Sequence, residues 1–160
     1  MLHLPGTIAR IVTFKLKPGA DFVESLNQAC KAHGVRSGCI LTAIGSLDGA
    51  ELKVPMVRPE LKFGYGYGPD PIRVTGPLSL VSMSGFICHA DDGAIEPHLH
   101  VTLADSEGKI HAGHLVLENV RVLLTVECVI GVFGGIDMRM ITDPDRGIRV
   151  VRMEASEQGR

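Results

Sequence analysis

The stretch from Glu96 to Leu115 constrains the fold more than any other, because its two-residue period leaves little freedom in how it can pair. Along an extended strand, residues i and i+2 share a face at a rise of about 3.3 Å per residue. His98 and His100 therefore project side by side, while Leu99 and Val101 point the other way, into a core. Asp105-Ser-Glu-Gly108 is rich in turn formers and ends on glycine, which predicts a chain reversal there. Placing His100 opposite His114 gathers His98, His100 and His114 on one face and puts Leu115 and Leu117 with Leu99 on the other. A slip of one residue would bring in His111 instead and break the match.

Three neutral imidazoles converging from two strands form an open zinc-type site, with a fourth position for water or a ligand. Imidazole discriminates poorly among metals, so iron, nickel or manganese could also fit. A His-x-His pair alone is a weak signal, and the alternative is a structural or subunit-contact role on a solvated sheet face. An enzyme built on such a site needs an acid or base nearby. Glu96, two residues before His98, is the catalytic candidate if the strand reaches it, although Pro97 cannot donate to a sheet ladder and would place Glu96 at the strand mouth. His111 reads as an exposed neighbour, and His3, His33 and His89 as unrelated.

The rest of the chain supplies a sheet and a helix to cover it. Residues 8–17 alternate Val12, Phe14 and Leu16 against Thr13, Lys15 and Lys17, which predicts a first strand. Asp21 followed by Glu24 resembles a capping box; Val23, Leu26 and Cys30 recur at helical spacing, and Gly34 is a plausible end, which predicts a helix over 22–33. Residues 38–45 read as a buried strand, turned by Ser46-Leu-Asp-Gly49 into a second strand over 50–54. Residues 55–76, with four prolines and the run Gly64-Tyr-Gly-Tyr-Gly-Pro, read as a mobile loop around a short strand; the run lacks the lysine and following helix of a phosphate loop. Tyr65 and Tyr67 are possible pocket residues there. Residues 78–89 predict a strand with Leu80, Ser82, Ser84 and Phe86 on one face and Val81, Met83 and Ile87 on the other. Asp91-Asp92-Gly93 predicts a turn. The apolar run from Val120 to Phe133 predicts a strand buried on both sides, by the helix or by another subunit. Residues 138–141 and 148–152 flank Asp143–Gly147 as a last hairpin, and residues 154–160 are expected to form a flexible tail.

Composition narrows the function. Sixteen Lys and Arg against 18 Asp and Glu give a net charge of −2, without a basic cluster, so tight binding to duplex DNA by the domain itself is not expected. At 160 residues the chain reads as one domain, 1–160, able to bury roughly 70% of its unfolded surface. Neither a leader-like start nor an apolar run of membrane-spanning length is present, and the expectation is a soluble, cytoplasmic protein. Cys30, Cys39, Cys88 and Cys128 lack C-x-x-C spacing and sit among apolar neighbours, which favours buried reduced thiols over ligands or disulfides.

The blocks His98–Asp105, Gly108, Gly113-His-Leu115 and Val122–Ile130, together with Ile44–Leu47 and Leu80–Gly85, resemble the signature of the PPC domain, the plants-and-prokaryotes conserved domain or DUF296. The likeness covers about residues 7 to 143. It implies a single α/β (α+β) domain, with a mixed, mostly antiparallel sheet packed with one or two helices, and a homotrimer. It also implies kinship with free-standing bacterial proteins that carry a DNA-binding label. Plant relatives couple this domain to an AT-hook with an Arg-Gly-Arg-Pro core, which this chain lacks. His111, and Ala112 where the family usually shows glycine, depart from the pattern without removing a candidate ligand.

Two functions follow as expectations. One is a trimeric binding or regulatory module, associated with DNA weakly or indirectly, with zinc at His98, His100 and His114 and room for a small-molecule ligand. The other is a zinc-dependent decarboxylase or hydrolase acting on a small carbonyl or carboxylate, since the histidine pattern is similar to that of acetolactate decarboxylase.

Overall fold

Asp21 starts the helix as the sequence predicts: its side chain accepts a hydrogen bond from the Glu24 amide at 3.0 Å, and the chain leaves through His33 and a left-handed Gly34. The computed structural model describes residues 2–144 and 148–156. In chain order the elements are β1 (Thr7–Leu16), α1 (Phe22–Ala32), β2 (Gly38–Lys53), β3 (Pro55–Val57), β4 (Tyr65–Tyr67) and β5 (Ile72–Ile87). There follow β6 (His98–Ala104), β7 (Ile110–Leu115), β8 (Val122–Gly134), β9 (Ile136–Thr142) and β10 (Arg149–Ala155).

Six strands form an antiparallel sheet in the order β1-β8-β2-β5-β6-β7. The end of β2 also pairs with β7, Leu52 with Leu115 and Lys53 with His114, so β2, β5, β6 and β7 curl into a closed loop of strands. Helix α1 lays Phe22, Leu26 and Cys30, each fully buried, onto the inner face. There they join an aliphatic core that includes Leu47, Leu99, Leu115 and Ile130. Truncating such a side chain to alanine costs about 2–5 kcal/mol. The β9–β10 ribbon packs through a smaller cluster of Cys88, Met138 and Met140. Among the described residues no helix is long and apolar enough to cross a membrane.

Several expectations change in detail. The turn at residues 46–49 does not form: β2 runs unbroken through it, with register shifts on both sides, because pairing with β5 and β8 holds the chain extended. In place of a loop with one short strand, residues 55–67 carry a two-stranded ribbon, β3 with β4. A bulge between Leu80 and Ser82 breaks the alternation of β5, so Leu80, Met83 and Ile87 are all buried while Val81 and Phe86 face out. Strand β8 is covered on its inner face alone within this chain; outward-facing Ile11 and Ile44 on its neighbours are 59% and 51% exposed. Glu154 and Ala155 of the expected tail pair with Asp137 and Ile136 in β10. Residues 157–160 of that tail, and 145–147 of the expected last turn, lie outside the described residues.

Candidate metal centre

The hairpin forms in the register that the histidine spacing demands. His100 is the partner of His114, and Val101, Thr102, Leu103 and Ala104 pair with Gly113, Ala112, His111 and Ile110. The connection is tied by Asp105, whose carboxylate accepts from the Glu107 and Lys109 amides at 3.0 and 2.9 Å. Leu99 and Leu115 are fully buried behind the hairpin, which fixes the outward direction of the histidines by alternation.

Two glycines let neighbouring strands approach this hairpin closely. A Cβ on Gly85 of β5 would lie 2.0 Å from the carbonyl oxygen of His98, and one on Gly113 would lie 2.9 Å from that of Lys53. Any side chain at either place would push a strand away from the histidines.

The rings of His98, His100 and His114 converge, with centroids 5.2 Å apart for the first pair, 4.8 Å for His98 and His114, and 5.3 Å for His100 and His114. One nitrogen from each lies within 4.8 Å of the other two, so the three can hold a metal ion. The Nε2 atoms of His98 and His100 are 3.2 Å apart. Nitrogens on a tetrahedral ion at about 2.0–2.1 Å sit about 3.3–3.4 Å from one another, so the pair is already near that spacing. Nδ1 of His114 is buried and has no hydrogen-bond partner among the described residues. An unmatched buried polar atom costs about 1–3 kcal/mol, which coordination through that nitrogen would remove.

Electrostatics favour the metal-binding protonation state. Burial, then the neighbouring His98 and His100 and the Lys53 ammonium, push the His114 pKa down to about 4. Burial and His100 lower that of His98. Both rings are held neutral, as ligands must be.

A cleft of about 580 Å³ opens beside the cluster, lined by His98, His114, Lys53, Tyr67 and Glu96 among others. The Tyr67 ring lies 5.5 Å from that of His114, so the β3–β4 ribbon forms one wall; Tyr65 is largely exposed. Glu96 precedes β6 and is engaged through both oxygens by Arg149, with Nε at 2.8 Å from Oε1 and Nη2 in contact with Oε2. Arg149 also donates to the Met140 carbonyl at 2.9 Å. Sequence reasoning missed Lys53 and Arg149, because strand pairings and ion pairs across 53 to 61 positions of chain leave no local signal.

The other histidines stay apart from the cluster. His111 turns away and pairs with Asp105, Nε2 to Oδ2 at 2.8 Å, and is partly buried rather than exposed. His89 is buried between Asp137 and Arg36. Ser37 donates to the same Asp137 oxygen at 3.1 Å, so a serine, a histidine and an aspartate meet; the hydroxyl faces the carboxylate and not the imidazole, so the three do not form a serine–histidine relay. Cys30, Cys88 and Cys128 are buried and Cys39 partly so, all with free thiols; burial pushes the first up to about 11 and the next two to about 12.

Comparison with known proteins agrees with this architecture. The chain is 28% identical over 112 residues to a bifunctional protein GlmU of Synechococcus sp. strain JA-3-3Ab, a match over 70% of this chain but only 16% of that protein's length. Among solved structures, a metal-containing protein from Archaeoglobus fulgidus superposes with a TM-score of 0.76 at 20% identity, covering 94% of this chain and 98% of the other. A plant- and prokaryote-conserved (PPC) protein from Pyrococcus horikoshii gives 0.72 at 22%, over 94% and 97%. A protein from Bacteroides thetaiotaomicron described as a "putative dna binding protein" gives 0.72 at 21%, over 91% and 94%. At these identities the likeness is one of fold. The model of the Plants and Prokaryotes Conserved (PCC) domain matches residues 3–134, and the chain belongs to that family.

Proposed function

We propose that the protein is a trimeric, cytoplasmic binding module in which His98, His100 and His114 of each chain hold one zinc ion and present it to a small ligand in the adjoining cleft. The observation that carries the reading is the meeting of three imidazole nitrogens within 4.8 Å, one of the rings having a buried nitrogen without a partner among the described residues. The metal-containing description of the Archaeoglobus protein, which has the same fold, supports it. Elemental analysis of untagged protein after zinc loading tests it: about one equivalent per chain is expected, and less than about a tenth overturns the site.

The trimer rests on the family resemblance and on the outward face of β1, β8, β2 and β5, where Ile11, Leu41, Ile44 and Val81 are exposed. An exposed aliphatic patch of this kind marks an interaction surface. Light scattering at micromolar concentration is expected to return three times the chain mass; a monomer mass contradicts it. Two neighbours in structure are described as DNA-binding, but the charge of −2 points to weak or indirect association with DNA here.

A second reading, a zinc-dependent decarboxylase or hydrolase, is favoured by the carboxylate of Glu96 in the same cleft as His98. When bound, the metal supplies Lewis acidity for such chemistry. Glu96 would take and return the proton, and Arg149, which now engages it through both oxygens, would have to release it first.

A further inference from the structure

We propose that the cleft beside the three histidines binds a small organic monocarboxylate, with Lys53 as the counter-charge that selects it and an apolar body lying along Phe86, Leu117, Ile148 and Val150. The proposal rests on the reading that the histidines hold a metal and adds the chemical class of the ligand.

Position carries the argument. Lys53 is the cross-strand partner of His114, and directly opposed residues of an antiparallel pair share a face with Cβ atoms about 4.5–5.5 Å apart. Leu52 is buried in the core, so Lys53 must face the cleft side, and it lines the cleft together with His98 and His114. Gly113 enforces the approach by letting β7 lie against the Lys53 backbone.

Charge selects the class. Among the described residues no carboxylate is within ion-pair reach of Lys53, whereas the other cation of the cleft, Arg149, is neutralised by Glu96. Beside the ion that the histidines would hold, this unpaired ammonium is a second, separate cationic point that the oxygens of a single carboxylate can meet. The apolar walls along Phe86, Leu117, Ile148 and Val150 suit the organic body of a carboxylate, which a free phosphate lacks. The remaining walls are aliphatic and aromatic, the Tyr67 ring among them, and about 580 Å³ is the size of a small-molecule site.

Cobalt(II)-loaded protein gives a direct test, because the visible absorption of cobalt responds to a change in its coordination and needs no turnover. Benzoate and its neutral isostere benzamide serve as probes. Benzoate is expected to perturb the spectrum saturably and to bind at least about tenfold more tightly than benzamide, the scale of one charge-assisted hydrogen bond. Lys53→Met should weaken benzoate at least about tenfold while still taking up one cobalt per chain, and Lys53→Arg should stay within about threefold of wild type. Failure of wild-type protein to take up cobalt would sink the metal reading and this proposal with it. Cobalt uptake with equal affinity for benzoate and benzamide, or with benzoate affinity indifferent to Lys53→Met, would overturn the proposal and leave the metal site standing.

Discussion

Two groups of histidines show what separates a structural imidazole from a ligand. His89 is 2% exposed, and both ring nitrogens have protein partners: Nε2 lies 2.8 Å from Asp137, and Nδ1 lies 3.1 Å from the Ala90 carbonyl and 3.3 Å from Arg36. Asp137 is itself held below the usual carboxylate range; its burial works the other way and is outweighed by the bonds from His89 and Ser37 and the charge of Arg36. His98, His100 and His114 are less buried, yet they face chiefly one another, and Nδ1 of His114 has no partner among the described residues. A folded chain satisfies its buried polar groups internally unless something else completes them. The first group is finished; the second is built to receive.

The largest expected consequence is in metal affinity. His100→Ala leaves two imidazoles and should weaken zinc binding by at least about a hundredfold, the upper end of what losing a hydrogen-bond partner of a ligand costs. His111→Ala, although in the same hairpin, should leave zinc affinity within about twofold, because its ring is turned to Asp105. Competition titration of zinc against a chromogenic chelator measures both. If His111→Ala abolished binding and His114→Ala did not, the functional face of the hairpin would be the opposite one.

His89→Ala should reverse the pattern. Removing that buried ring leaves the partly buried Asp137 without its imidazole partner and should cost about 1–3 kcal/mol of stability, read from the urea midpoint, with zinc stoichiometry unchanged. Loss of zinc without loss of stability would erase the distinction between the two groups.

Acid should sharpen the comparison further. The folded pKa of His114 is about 4 and the unfolded value about 6.5, so between these the unfolded chain carries a proton that the folded chain refuses. Metal-free protein should therefore lose stability as pH falls through that window, and His114→Gln should flatten the slope. Zinc should raise the melting temperature at pH 7 and lose this effect as protons displace it at lower pH. A melting temperature of the metal-free protein that is level from pH 6.5 to 4 would contradict the buried neutral state of His114.

Much of the site was legible in the sequence because its signals are local. The histidines at i and i+2, the Asp105–Gly108 turn and the leucines in antiphase demand one register, and the hairpin adopts it. Asp21 and Glu24 marked the helix start for the same reason. What was hidden depends on distant pairing. Ser46-Leu-Asp-Gly49 carries turn residues, yet β5 and β8 on either side hold β2 extended through it, and tertiary pairing overrides local preference. The same strand delivers Lys53 to His114 at its far end, and nothing near Lys53 in the sequence announces that neighbour.

X-ray absorption at the zinc edge tests the central claim most directly, because it counts and identifies the atoms around the ion. For zinc-loaded wild-type protein the account predicts a nitrogen and oxygen shell at about 2.0–2.1 Å, with outer-shell scattering from three imidazoles. The His100→Ala protein should not reproduce that spectrum. A sulfur shell at about 2.3 Å, or two or fewer imidazoles in the wild-type protein, would contradict it.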